Sequence, residues 1–426
     1  MKKFLLISTL MLLLIVSVVS IGKSVTIRYW MWDPSIKAKE QALISAFEKS
    51  HPNIKVELTT MEPKNYWPKL SAMSAAKSLP DVFNMSSGYV EGWSSAGLLY
   101  RLNDFIAQLD SSKYFPKLLA VTTYNGNTYA FPFAWVTTVL YYNKDMFDEA
   151  GLAYPTDDWT WFDFLNAAIR LTKDKNGDGK IDQWGYWFYG RYAHVEPWIY
   201  QNGGRLLNED KTRFDPDANA METLKFLTDL VLKYKVAPSK KSMTGVRQQD
   251  VFPLGMAAMW TDGSWNTENA RNIVKGKFRW GIARVPRGPH WTHDITYAWP
   301  DSISISAFTK HPEEAWELVK FLTGPAVPVN LFMAGKVPSY KPTAYSEEWL
   351  QKDKQPGNMD LILKLGNNPV RTSFTKGWSE WRGYGGAEGM GLNGAIDKVV
   401  NGEEDLYKAI FDSTIYVNKV LKRYYK

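Results

Sequence analysis

The sequence predicts an α/β protein of two lobes, each a sheet flanked by helices. Three observations carry this. The first part of the chain alternates strand-like and helix-like stretches at the spacing of βαβ units. Its 426 residues exceed what one hydrophobic core usually serves. Two extended runs, residues 133–142 and 295–306, stand far apart in sequence and read as crossings from one lobe to the other. The expected division is a first lobe of residues 23–132 with about 300–340, and a second of residues 133–299 with about 341–426.

Taken in order, Lys2 and Lys3 precede an apolar run over residues 4–19, with Ser20 and Gly22 following. That is the pattern of a secretory signal peptide over residues 1–22, the alternative being a retained membrane anchor. Residues 25–30 alternate as a first strand and run into Trp32 and Asp33. A helix over 35–49 carries Leu43, Ile44 and Phe47 on one face, strand 54–61 follows, and helix 66–77 leads to a short strand at 82–85. Asn125-Gly126-Asn127 reads as a hairpin turn, after which the run containing Trp135 leaves the first lobe. In the second lobe, a helix over 159–172 is expected to turn Phe162, Leu165 and Ile169 inward. Asp215 is expected to cap a helix that runs to Tyr234. Residues 256–260 form an apolar strand ending at Asp262-Gly263, where Ser264 or Asp262 can cap a helix opened by Trp265. Such strand-to-helix corners are where open α/β sheets hold ligands. Trp299 and Asp301 lie on the return crossing, and an aromatic loop at 377–386 holds Trp378, Trp381, Arg382 and Tyr384.

Residues 174–182, DKNGDGKID, place oxygen-bearing side chains at the first, third, fifth and ninth loop positions with Gly179 at the sixth. This is the spacing of a calcium loop. Asp174, Asn176, Asp178 and Asp182 would offer side-chain oxygens, Lys180 its carbonyl and Gln183 a further oxygen, whereas Gly185 stands where a bidentate Glu belongs. A structural calcium is one reading and a metal-free polar turn the other.

Composition narrows the function. With no cysteine there is no thiolate nucleophile, thiolate metal site or lipid attachment through an N-terminal Cys. The net charge of +7, or +5 without Lys2 and Lys3, is spread without any Lys/Arg run, so no nucleic-acid partner is expected. Aromatic residues make up 15% of the chain and include 19 Trp, a surplus that suits stacking on ring-shaped ligands. Sugars present a C–H face to aromatic planes and a rim of hydroxyls to polar groups, so Trp32, Trp135, Trp265, Trp299, Trp378 and Trp381 are candidate planes. Asp33, Arg191, His194, Asp262, Asp301 and Arg382 are candidate rim groups.

The stretches WMWDP, LPDVFNMSSG, YNGNTYAFPFAWVTTVLYYNKDMFDEAGL, GMAAMWTDGSW and SISISAFTKHPEEAWELVKFLTG, in this order, resemble the extracellular solute-binding proteins of ABC sugar importers, the maltose-binding-like family. The resemblance implies the periplasmic-binding-protein fold, with a sugar held between lobes and delivered to membrane permease subunits. It implies an aromatic after the first strand, here Trp32, and a Trp at a Gly-x-Trp corner stacked on the sugar, here Trp265. It points, more loosely, to ligand contacts from 189–198 and 378–384. Some alginate-binding relatives carry a calcium loop resembling residues 174–183, with an acidic residue where this chain has Gln183. The expectation is thus a monomeric, non-catalytic protein of the periplasm or cell exterior that binds an oligosaccharide and requires no cofactor. A secreted glycoside hydrolase is the alternative; it needs paired carboxylates, for which Glu196, Asp262, Asp301 and Glu380 are the nominees.

Overall fold

Residues 24–332, 334–366, 374–383 and 389–425 are described by a computed structural model. The expected signal segment, residues 1–22, and Tyr384 lie outside them. Strand β1 (Val25–Met31) buries Ile27, Tyr29 and Met31 on alternate positions and pairs in parallel with β2 (Ile54–Thr60) and β3 (Val82–Ser86). Helices Lys37–Ser50 and Pro63–Ala75 supply the two right-sized crossovers. Strand β3 sends Val82 to one core and Phe83 and Met85 to another, so this sheet is covered on both faces. A small hairpin, β4 (Thr123–Tyr124) with β5 (Asn127–Thr128), turns at Asn125 and Gly126.

The long strand β6 (Phe131–Asn143) is almost wholly buried and belongs to both lobes. Beyond it come β7 (Trp184–Trp187), β8 (Ala257–Gly263), β9 (Trp280–Ala283), β10 (Ala298–Ile305) and β11 (Val337–Pro338). From Phe131 to Thr137, β6 runs antiparallel to β10; from Thr138 onward it pairs antiparallel with β8 and β9. Among the described residues this makes one 9-stranded sheet, ordered β2-β1-β3-β10-β6-β8-β7, with β9 and β11 also on β6. The change of partner between Thr137 and Thr138 puts the crossing a few residues later than the expected lobe boundary. The first-lobe sheet is also mixed rather than purely parallel, because β10 enters it antiparallel to β3. The architecture is the two-lobed α/β arrangement that the sequence predicts.

Three local expectations are corrected. In helix Trp161–Leu171 the inward face is Trp161, Phe164, Ala168 and Leu171, while Phe162 and Ile169 are 72% and 49% exposed. Leu165 is half-buried. The stretch has two overlapping apolar stripes, and the one holding Trp161, Phe164 and Leu171 faces the core. The next long helix is Ala218–Leu232, and its cap is Asp217, which accepts from the Ala220 amide at 2.8 Å; Asp215 lies short of the helix start. Helix Asn266–Val274 has no side-chain cap, because Ser264 and Asp262 are both turned to other partners. The C-terminal helices Gly391–Val400 and Leu406–Leu421 pack on each other and on Trp378–Arg382 in the core of the second lobe.

Candidate functional site

The corner after β8 is built by close approach. Gly263 has room only because it lacks a Cβ, which would stand 1.8 Å from the indole of Trp265 folded back over it. The Ser264 amide donates to the Thr137 carbonyl at 2.7 Å, and its hydroxyl donates to the Gly335 carbonyl at 2.5 Å. These bonds pin Trp265 to the point where β6 changes lobes. One side of the half-buried indole meets Trp299 of β10 at 5.3 Å, and the Arg191 guanidinium lies over the ring at 5.6 Å.

From there an aromatic series runs to the first lobe. Trp299 meets Tyr192 at 5.5 Å, and Tyr192 meets Trp378 at 5.5 Å. Phe374 packs against both Trp378 and Trp299. Trp378 reaches across to Tyr89 at 6.5 Å, Tyr89 stacks on Trp67 at 3.8 Å with planes 7° apart, and Trp67 meets Trp32 at 5.8 Å. The lobes touch here through Gly88 of helix Ser87–Ser95, where a Cβ would lie 2.6 Å from the Trp378 ring. Trp32, Trp67, Tyr89, Trp265 and Phe374 are half-buried.

Of the sequence candidates, then, Trp32, Trp265 and Arg191 lie along this series half-buried, while Trp299 and Trp378 belong to it as members of the second-lobe core, each 5% exposed. The others do not belong to it. Trp135 is 1% exposed and packs edge-on to Phe115 within the core, its ring pressed on Gly366, so it offers no open face. Trp381 is fully buried, donating its indole N–H to Thr375 Oγ1 at 2.9 Å. Arg382 is fully buried and paired with Glu196, which also accepts from the Tyr200 hydroxyl at 2.8 Å. His194 and Asp262 are likewise fully buried, 3.2 Å apart. Burial keeps His194 below its ordinary pKa against the pull of Asp262. Asp262 also accepts from the Tyr189 hydroxyl at 3.2 Å and the Gly263 amide at 2.7 Å. The pair thus fastens the end of β8 to helix Tyr192–Gln201 rather than forming a rim. Removing one partner of such a pair typically costs about 3–5 kcal/mol.

Asp33 is half-buried and accepts from the Ser35 amide at 3.0 Å, while Asp301 is held by Lys336 at 2.8 Å. Sequence reasoning missed Trp67 and Tyr89. A signal for Trp67 existed: helix Pro63–Ala75 buries Tyr66 and Leu70, which leaves Trp67 out of step with the core stripe.

The loop 174–182 lies on the surface. Asp174 accepts from the Gly177 and Gly179 amides at 2.7 and 2.8 Å, Asn176 from Asp178, Asp178 from Lys180, and Asp182 from Lys175. Gln183 is 1% exposed, and its amide nitrogen donates to the Leu171 carbonyl at 2.7 Å. Among the described residues no three acidic or histidine side chains converge as a metal site. A cation would have to draw these carboxylates together.

Residues 33–327 match the family described as bacterial extracellular solute-binding protein. A binding protein of Brucella abortus is 24% identical over 283 residues, which are 65% of this chain and 66% of that protein, so the match spans just under two thirds of that relative. A mannitol-binding protein of Pseudomonas aeruginosa is 26% identical over 325 residues, 73% of this chain and 72% of its own. Among solved structures, an ABC substrate-binding protein of Listeria monocytogenes in complex with cycloalternan aligns at a TM-score of 0.82 and 26% identity, over 94% of this chain and 99% of that one.

Proposed function

This chain belongs to the bacterial extracellular solute-binding proteins, and from that premise we propose that it captures a carbohydrate between its lobes and delivers it to the permease of an ABC importer. The observation that carries the reading is the aromatic series from Trp32 on one lobe to Trp265 on the other, passing the strands that join them. Stacking on C–H faces needs such planes, and Arg191 beside Trp265 supplies hydrogen-bond donors for hydroxyls. One pyranose has two faces, so a longer series of planes favours an oligosaccharide. The names of the relatives agree in kind: one binds mannitol and one is seen with cycloalternan.

Binding closes the lobes about β6 and β10, the hinge motion that the periplasmic binding proteins exemplify. The protein works in the periplasm or outside the cell, on the strength of the segment 1–22 and the family's description. Among the described residues no helix is long and apolar enough to cross a membrane. The hydrolase reading finds no support at its nominees. Glu196 is paired with Arg382, Asp262 with His194, Asp301 with Lys336 and Glu380 with Arg423, so each nominee is held by a basic partner. Calorimetric titration against an oligosaccharide panel, with chromatography of the recovered ligand, tests the proposal. Saturable binding with intact ligand is expected; recovery of shortened sugars would favour the hydrolase.

A further inference from the structure

Beside Trp32, at the carboxyl ends of β1 and β3, the first lobe holds a partly open cavity of about 50 Å³. A water needs roughly 10–15 Å³ of such space and a site that encloses a whole small ligand about 300–1,000 Å³. This cavity therefore suits one substituent of a larger ligand whose body lies in the cleft. Leu43, Ile303, Leu322 and Phe332 make most of its wall apolar, and Tyr29, Asp33, Glu40, Asn84 and Lys336 are its polar groups.

The charges are unevenly placed. Glu40, on helix Lys37–Ser50, is 9% exposed and accepts from the Tyr29 hydroxyl, which is within 3.4 Å of the Asn84 amide; Tyr66 packs near Tyr29. Asp33 stands at the end of β1. The cation facing Glu40 among the described residues is Lys336, and its ammonium is already bound to Asp301 of β10 at 2.8 Å, with both partners buried. An anion entering the cavity would meet Asp33 and Glu40 and find Lys336 engaged. A hydroxyl would find both donors and acceptors, whichever protonation state Glu40 holds.

We propose that this cavity is a subsite for one uncharged, hydroxyl-bearing substituent on the terminal ring of the bound carbohydrate, and that Glu40 is the residue that turns away an acidic ring there. The inference rests on the carbohydrate reading above. Burial pushes the Glu40 carboxyl up to about 7, outweighing the Tyr29 bond and Lys336, which pull it down. Discrimination should therefore sharpen as pH rises through that value and Glu40 ionises.

The test is a binding panel of maltotriose, mannotriose and cellotriose, each beside its counterpart oxidised to a 6-carboxylate on the terminal ring, measured about one unit below and one unit above neutral pH. The ligand is expected among the neutral members, with its carboxylate at least about tenfold weaker on the alkaline side and the gap narrower on the acid side. Glu40→Gln should shrink the alkaline gap and remove its pH dependence. A carboxylate that binds as tightly as its neutral partner, or a Glu40→Gln protein with the parent's gap and pH dependence, would overturn the assignment. Should Glu40→Gln fold poorly, the parent's series decides alone, since a gap that fails to widen with pH also overturns it. Binding by no member at all would count against the carbohydrate reading itself and so remove the subsite with it.

Discussion

Trp135 and Trp265 carry the same side chain to opposite uses, and only their surroundings tell them apart. Trp135 sits among core side chains at 1% exposure, so Trp135→Ala should cost about 3–5 kcal/mol of stability. Trp265 is half-buried, so Trp265→Ala should destabilise less but weaken sugar binding at least about tenfold, the share of one stacked hot-spot aromatic. Thermal melts and calorimetry on the two variants would show the contrast, and Trp265→Ala with unchanged affinity would return that residue to the core. In the sequence Trp265 stood out through its Gly-containing corner, whereas nothing local separates Trp135 from a cleft residue, because which face of a fully buried strand meets the cleft is a tertiary matter. Glu40 makes a second residue-scale prediction. Burial pushes its carboxyl up to about 7, well above the ordinary carboxylate range, so the folded state holds a proton that the unfolded state releases. Stability from this group is therefore full below that range and lost as pH rises towards the raised value, amounting to about 3 kcal/mol for a shift of this size. Melting temperature should fall over that window in the parent relative to Glu40→Gln, and parallel pH profiles in the two proteins would contradict it.

Among the elements, the crossing strands were legible because residues 133–142 carry apolar residues on both faces, as strands buried on both sides must, and residues 295–306 form a second long extended run. Helix Trp161–Leu171 was legible in extent but not in rotation: Trp161, Phe162, Phe164 and Leu165 are all apolar, and periodicity does not choose between overlapping stripes. The loop 174–182 was legible as a turn of oxygens, while its metal is a proposal that rests on spacing. Its carboxylates now accept from loop amides, and Gly185 stands where a bidentate Glu belongs, so calcium would bind with the modest affinity of extracellular modules, about 10⁻⁴–10⁻³ M. Millimolar calcium should then raise the melting temperature of the parent and not of Asp178→Ala, with sugar affinity unchanged in both. Coincident melting curves in calcium and in chelator would make the loop a polar turn.

At the scale of the whole molecule, two lobes share strands β6 and β10, and the aromatic series spans the gap beside them. The two-lobed plan was readable from the order of strands and helices together with chain length. The series itself was only partly readable, since Trp67 and Tyr89 enter it from helices whose other faces pack the first-lobe core. If a carbohydrate is held between the lobes, each must grip it. Trp32 is the plane on the first lobe farthest along the series from Trp265. The decisive measurement is calorimetric titration of Trp32→Ala with the same oligosaccharide used for Trp265→Ala. The account predicts a loss of at least about tenfold from either lobe, with both variants folded; full parental affinity in Trp32→Ala, alongside a loss in Trp265→Ala, would place the sugar on one lobe alone and contradict capture between them.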